Sequence, residues 1–489
     1  MTDGRIRDST RMTSERAFLK ELLKKNLALE TDVSLVSNKQ TMPNPVSEAR
    51  LGLYRPATAR MAGIADIEIL KAFRAASLPE PTFLEAGPRK VLRHNPRRVQ
   101  AAVVTTGGLA PGLHCVIHSI VNRHYSTYSI DKHHGHVFGV YDSYRGLCSL
   151  PESLADLDPA TTEEWLDQGG SKLGAVRFFP YGRGDEGLTR MAQDISRNLT
   201  YNGIDILYVI GGDGSLKTAH KISQLCPGVS VIGIPKTMDN DVLWVWQSFG
   251  FDTAVEQATH VINILHSEAE STRRVCVIEL FGAESGFVAA NATLASGHVD
   301  FVMIPEVFKA LAEDQAQEYL DVAIDYIGKI IQTSRRRDPH AVIVVAEGVG
   351  TVLEEKRAKY GGVDIKRDTF VGQLASSIKD RVHDARGDSV PVFVNQPRHH
   401  IRAVPANAHD QIYCERLGAL AVDNALAGYT DCMVSQWLTE YVLVPLSLVD
   451  AGTKCIPING MFWKQVVCST GQPLSPAEDP TASTNMSCG

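Results

Sequence analysis

Residues 235–241 read PKTMDND and close a run of apolar residues. The stretch packs Lys236, Thr237, Asp239, Asn240 and Asp241 into six positions, more polar groups than a turn needs. A carboxylate such as Asp239 can accept a proton from a substrate hydroxyl. Asp239 and Asp241 lie at i and i+2, so an extended backbone would put both on one side, roughly 6–7 Å apart. Asp241 can then help to orient a metal or a substrate. Thr237 offers a hydroxyl and Lys236 a compact cation. About one strand–helix unit earlier stands GGDGS, 211–215. Gly211, Gly212 and Gly214 remove side chains from a place where a phosphate chain could lie. Asp213 shares the charge of a phosphate, so its natural partner is Mg²⁺ bridging phosphate oxygens. Ser215 is suited to capping the following helix. The first such turn is TTGGLAPG, 105–112, where Gly107 and Gly108 let backbone N–H groups approach an anion near a helix N-terminus.

Arginines are spread over other turns. SKLGAVR, 171–177, places Arg177 where it could clamp a transferring phosphoryl group. STRRVCVIEL carries Arg273 and Arg274, and HHIRA carries His399, His400 and Arg402. Planar guanidinium forks pair bidentately with phosphate oxygens, which suits a sugar phosphate. Glu347 in VVAEG is a natural acceptor for sugar hydroxyls. There is no G-x-x-x-x-G-K-[ST] loop and no H-R-D set, and the first strand does not open into G-x-G-x-x-G, which counts against a dinucleotide dehydrogenase. These residues describe Mg²⁺-assisted phosphoryl transfer to a small phosphorylated acceptor, driven by positioning, metal charge and a carboxylate base.

The elements that must hold these turns follow a strand–helix rhythm from Val99 onward. VQAAVVTT, HVFGVYD, IDILYVIGG, VSVIGIPK, VCVIELFG, VDFVMIP, AVIVVAEG and VPVFVNQP are short apolar runs of the kind buried on both faces of a sheet. Between them FDTAVEQATHVINILHSEAEST and QEYLDVAIDYIGKIIQ show helical spacing, and DQIYCERLGALAVDNALAG follows as the last strong helix. Alternation of this kind implies an α/β fold with mostly parallel sheets and ligands at the strand C-termini, where adjacent polar tips would share a crevice. Residues 1–98 differ: FLKELLKKNLAL, 18–29, reads as an amphipathic helix, and the proline-rich stretches after it as surface-wrapping segments. The tail SPAEDPTASTNMSCG is of low complexity. Of 489 residues 44% are apolar and 21% charged, ordinary for a globular protein. The net charge of −7 argues against a nucleic-acid binder. Nine cysteines without a C-x-x-C pair fit a reducing cytoplasm, and no apolar stretch is long enough for a membrane span or a signal peptide.

In order along the chain, TTGGLAPGL, YDSYRGL, LGAVR, GGDGS, PKTMDND, FGFDTAVEQA, SGFVAANATLASGHVDFVMIPE and AEG resemble the 6-phosphofructokinase family, over roughly Val99 to Leu474. GPRKVLRHNPRRVQAAVVTTGGLAPGL and STGQP resemble its longer, plant-type, ATP-dependent branch. The resemblance implies two Rossmann-like domains plus an N-terminal extension (1–98). Residues 99–250 with 410–460 would form the ATP domain, and 251–409 with 461–489 the sugar-phosphate domain. It implies that Gly107, Arg177, Phe178, Gly212, Asp213, Gly214, Ser215 and Lys236 contact the donor, with Asp213 on Mg²⁺. Asp239 would be the base for the sugar 1-hydroxyl, assisted by Thr237 and Arg177. Thr237, Phe281, Gly282, Glu347, His399 and Arg402 would bind fructose 6-phosphate, with Arg274 lent by a neighbouring subunit of an allosteric homotetramer in cytoplasmic glycolysis. Gly214 favours ATP, since pyrophosphate-using members carry aspartate there; plant-type ATP enzymes combine this glycine with a lysine at the position of Lys236. Three departures stand out. Ala283 replaces an arginine, His114 and His118 replace asparagine and arginine, and His399-His400 replace a tyrosine–methionine pair. A pyrophosphate-dependent enzyme and a catalytically impaired binding subunit are the other readings.

Overall fold

The computed structural model describes residues 13–37, 39–182, 184–333, 339–360 and 370–474; the low-complexity tail and the first twelve residues lie outside this set. The chain forms two compact units. The first comprises Met1–Thr237, Val242–Gly250 and Ala403–Lys454, and the second Met238–Asp241, Phe251–Arg402 and Cys455–Gly489. The crossings near 402 and 454 fall earlier than the 409 and 460 expected from sequence. The first of them separates the short helix Arg398–Arg402 from the long helix Ala408–Leu426.

The first unit is built on a nine-stranded sheet. Its order is Arg60–Ala62, Thr82–Glu85, Glu440–Pro445, Cys432–Trp437, Ser230–Pro235, Ile206–Gly211, Gln100–Thr105, His136–Val140 and Leu154–Asp156. The strands from Cys432–Trp437 to His136–Val140 pair in parallel, and antiparallel strands close both sides. Every residue of Ile206–Gly211 and Ser230–Pro235 is buried, which is why those runs are apolar without alternation. Register sets the site. Pro235 pairs with Gly211, and Thr105 with Ile210. Three adjacent parallel strands therefore release their polar turns at one level of the sheet.

The described part of residues 1–98 belongs to this unit. The helix Glu15–Lys24, capped by Ser14, buries Phe18, Leu19 and Leu22. These join one apolar core with Phe83, Trp244 and Trp437. The helix ends well before residue 29, with Asn26 in the left-handed region at φ 54°. Of the segments expected to wrap the surface, SLPEPTFLEAGPRK instead supplies the strand Thr82–Glu85, which pairs with the edge strand Arg60–Ala62 on one side and with Glu440–Pro445 on the other.

The second unit holds a four-stranded parallel sheet in the order Phe301–Met303, Ala341–Ala346, Val275–Leu280, Val392–Asn395. Its two central strands are buried throughout. Leu280 pairs with Ala346, so Phe281 and Glu347 leave neighbouring strands at the same level. No described helix is long and apolar enough to cross a membrane.

Candidate active site

In the first unit GGDGS is less a loop than a helix start. The strand ends at Gly211, Gly212 is the N-cap, and Asp213 opens the helix Asp213–Leu225. Ser215 is therefore not the cap expected from sequence but lies in the first turn. Its hydroxyl donates to Thr106 Oγ1 at 3.3 Å and its carbonyl accepts from Tyr144 Oη at 2.6 Å. A helix N-terminus with small residues attracts anions through its backbone N–H groups and dipole. Gly211 cannot be replaced freely: a Cβ there would stand 2.5 Å from Ser215 Cβ and 2.6 Å from Thr106 Cγ2. Gly214 is the opposite case, exposed and with nothing within 4 Å of a Cβ. Asp213 pairs with Lys217 at 3.3 Å.

Lys236 is 4% exposed. Its ammonium donates to the Gly108 carbonyl at 2.5 Å, so the lysine reaches across the strand ends to the first turn. Gly107 adopts φ +84°, and a Cβ on it would lie 3.7 Å from Lys236 Nζ and 3.8 Å from Ser215 Oγ. The expected donor residues Gly107, Gly212–Ser215 and Lys236 are thus gathered on three neighbouring strand ends. The 168–174 segment is tied to the same place. Thr105 Oγ1 donates to the Gly174 carbonyl at 2.6 Å. His114, 3% exposed, meets the Gln168 carbonyl through Nδ1 at 2.8 Å and accepts the Lys172 N–H at Nε2 at 2.9 Å. Burial pushes its pKa down, which suits a neutral imidazole carrying its proton on Nδ1. Here the histidine braces a loop. His118 bonds Thr162 Oγ1 at 3.0 Å, its pKa also lowered by burial. Beyond the brace Arg177 is exposed, and Phe178 is half-buried against the core. Phe178 lines a cavity of about 390 Å³ with Cys148, Tyr181, Asp194 and Arg197, none of which the sequence reading singled out.

The second unit gathers the remaining candidates, with one correction. The segment around Asp239 is bent, not extended: Asn240 takes φ 53°. The alternation that would have put Asp239 and Asp241 on one side therefore does not apply. The Asp239 carbonyl accepts from Ser285 Oγ at 2.9 Å. Ser285 belongs to the turn after Val275–Leu280, whose Gly282 sits at φ +136°; a Cβ there would fall 2.4 Å from the Ser285 carbonyl. Gly348 N donates to the Gly282 carbonyl at 3.0 Å, joining this turn to the one after Glu347. The Arg402 guanidinium lies over the Phe281 ring at 5.2 Å, a cation–π contact that unites two predicted substrate residues. His399 is exposed on the same short helix, and Glu347 is half-buried.

Glu279 was missed by sequence reading. It is 5% exposed and accepts from Gln396 Nε2 at 2.6 Å and Arg398 Nη2 at 3.2 Å. Burial is the main cause of its raised pKa, with the neighbouring Glu347 adding to it. The signal was a lone acid inside the otherwise apolar VCVIEL. Arg274 is not brought to this cluster. It precedes the Val275–Leu280 strand, whereas Phe281 follows it, so the strand separates them by roughly 20 Å at ~3.3 Å per residue.

A profile of the phosphofructokinase family matches residues 100–425. The ATP-dependent 6-phosphofructokinase of Borreliella burgdorferi is 35% identical over 409 residues, 81% of this chain and 86% of its own. The chain belongs to the phosphofructokinase family. Two further relatives are similarly placed. The ATP-dependent 6-phosphofructokinase of Amycolatopsis methanolica is 32% identical over 451 residues, covering 90% of this chain and 91% of that one. The chloroplastic ATP-dependent 6-phosphofructokinase 5 of Arabidopsis thaliana is 36% identical over 398 residues, covering 79% and 68%. Among solved structures, a pyrophosphate-dependent phosphofructokinase from Marinobacter aquaeolei aligns with TM-score 0.59 at 20% identity over 78% of this chain and 92% of that one, a likeness of fold. The family match begins at residue 100, although the helix Glu15–Lys24 is built into the core of the same unit.

Proposed function

We propose that this phosphofructokinase-family chain transfers the terminal phosphoryl group of ATP to the 1-hydroxyl of fructose 6-phosphate, giving fructose 1,6-bisphosphate in glycolysis. The observation that carries the reading is the convergence of Gly107, Ser215 and the buried Lys236 beside a glycine-opened helix N-terminus. Backbone N–H groups and a desolvated ammonium are suited to charge on a phosphate chain. Asp213 at that helix start fits Mg²⁺, which binds through one or two carboxylates and phosphate oxygens. When bound there the ion would supply positive charge to the donor.

Asp239 accepts the proton of the 1-hydroxyl as that oxygen attacks, and Thr237 orients the same hydroxyl. Arg177, on its exposed loop, neutralises the moving phosphoryl group, and Phe178 lines the donor side. Phe281, Gly282, Glu347, His399 and Arg402 receive the sugar phosphate. Arg274, at the far end of its strand, serves a neighbouring copy, which is why a homotetramer is part of this reading; its place is the cytoplasm. The open surroundings of Gly214 favour ATP over pyrophosphate. A coupled assay of the purified chain with fructose 6-phosphate tests the proposal. ATP with Mg²⁺ should support turnover; turnover with pyrophosphate alone contradicts it. Ala283 motivates the impaired-subunit reading, which a normal rate with ATP would end.

A further inference from the structure

The residues around Asp239 are anchored differently on their two sides. Upstream, Ser230–Pro235 is a central strand, and Lys236 N bonds the Gly211 carbonyl at 2.9 Å. Downstream, Val242–Gly250 contains no strand: Trp246 N bonds the Gln436 carbonyl at 2.9 Å and Phe249 bridges Lys236, and side chains hold the turn nearest the bend. Trp244 lies there, fully buried, at φ 63°. A left-handed tryptophan persists only where its surroundings over-determine it. Its carbonyl accepts from Ser435 Oγ at 2.6 Å, and the Val245 carbonyl accepts from Lys454 Nζ at 2.7 Å. The Trp244 N–H donates to Glu15 Oε1 at 2.9 Å. Glu15 is the first residue of the helix Glu15–Lys24, which lies outside the family match. Phe18 on that helix packs edge-on against the Trp244 ring at 6.2 Å, and Arg16 pairs with Asp66 at 2.8 Å. The carboxylate is thus delivered to the amide by a docked element.

We infer that Glu15 is a positioning residue for the phosphoryl transfer: by holding the Trp244 amide it fixes the downstream flank of Met238–Asp241 and hence the aim of the Asp239 carboxylate. This rests on the reading of Asp239 as the base. A carboxylate accepting a buried backbone N–H is a strong, short-range restraint. Once it is lost, that amide must find another acceptor, and the bend carrying Asp239 moves with it. The N-terminal helix then acts on catalysis without touching substrate.

The experiment uses the full chain as wild type, Glu15→Ala, Glu15→Gln and Asp239→Asn. In Glu15→Ala, kcat should fall about tenfold with each KM moving less than about twofold, the signature of a misaimed group. In Glu15→Gln, whose amide oxygen still accepts, kcat should return to within about twofold of wild type. Hydrogen exchange of the 238–246 peptide should quicken in Glu15→Ala while a peptide over Ile206–Gly211 stays unchanged. An unaltered kcat in Glu15→Ala, an equal loss in Glu15→Gln, or unaltered exchange at 238–246 overturns the inference. Asp239→Asn retaining the wild-type rate would instead discard the base assignment, while the exchange data would still judge whether Glu15 holds the segment.

Discussion

Gly214 and Gly211 are three residues apart and fail for different reasons when changed. Position 214 is open, and an aspartate in a first helical turn is favoured by the dipole. Gly214→Asp should therefore keep its melting midpoint within about 2 °C of wild type. Its kcat/KM for ATP should fall by about a hundredfold, because like-charge juxtaposition costs several kcal/mol. A melting scan beside a titration of ATP in the coupled assay checks both. Asp239→Asn keeps shape and removes the proposed base. Its kcat should drop by about 10²–10⁴ at nearly unchanged KM for fructose 6-phosphate, and steady-state rates decide it.

At the level of elements the crowding at Gly211 becomes a statement about how a strand meets its helix. The Cβ of Gly211→Ala would press into Ser215 and Thr106, forcing the first turn of Asp213–Leu225 away from the neighbouring strand. Overpacking of this kind costs about 1–3 kcal/mol, so urea unfolding should show an earlier midpoint at unchanged slope. This junction also marks what the sequence could say. Runs such as ILYVIG and VIGIP announce strands because burial on both faces removes every polar residue. The strand–helix alternation, and with it the level at which GGDGS and PKT emerge, was readable for that reason. The hairpin Cys432–Trp437 with Glu440–Pro445 was not: its two-residue turn begins with Leu438 at φ 56°, where asparagine or glycine would have been the signal. The bend at Asn240 was hidden likewise, since an Asx residue without a neighbouring glycine looks the same extended or left-handed. The partnership of Glu279 with Gln396 and Arg398 depends on residues far apart in sequence, which no local pattern reports.

The molecule as a whole should respond to acid through imidazoles sealed in its first unit. His94 and His124 are 2% and 0% exposed. Burial drives their pKa values down to about 4 and about 3, with Lys39 adding to the effect on His94 and His94 to that on His124. The unfolded chain takes up these protons near 6.5 and the folded chain does not. Each group therefore contributes stability that is full above 6.5 and is lost as pH falls toward the folded value, by about 1.4 kcal/mol per pH unit. Glu279, Glu306 and Asp423, raised mainly by burial, work in the opposite sense: their contribution is present at low pH and lost as pH rises through the raised values. Denaturation at pH 7.5, 6 and 5 should show wild type weakening more steeply than His124→Gln, with little difference above about 6.5 and a slope approaching about 1.4 kcal/mol per pH unit below it. Assembly offers a second test at this scale. On the proposed reading, in which Arg274 serves a neighbouring copy, Arg274→Ala and Asp239→Asn should each be nearly inactive alone and recover a measurable fraction of activity when refolded together, because a mixed oligomer would contain one site with both residues intact. The strand order carries a further consequence, for biogenesis. Ile232 pairs with Cys432, so Ser230–Pro235 gains its outer partner only when the far end of the chain arrives. While the ribosome is still making the intervening residues, that strand offers a bare, largely apolar border to any other chain. Nascent chains halted before Cys432 should therefore clump or bind a holdase, and chains extended past Pro445 should be released.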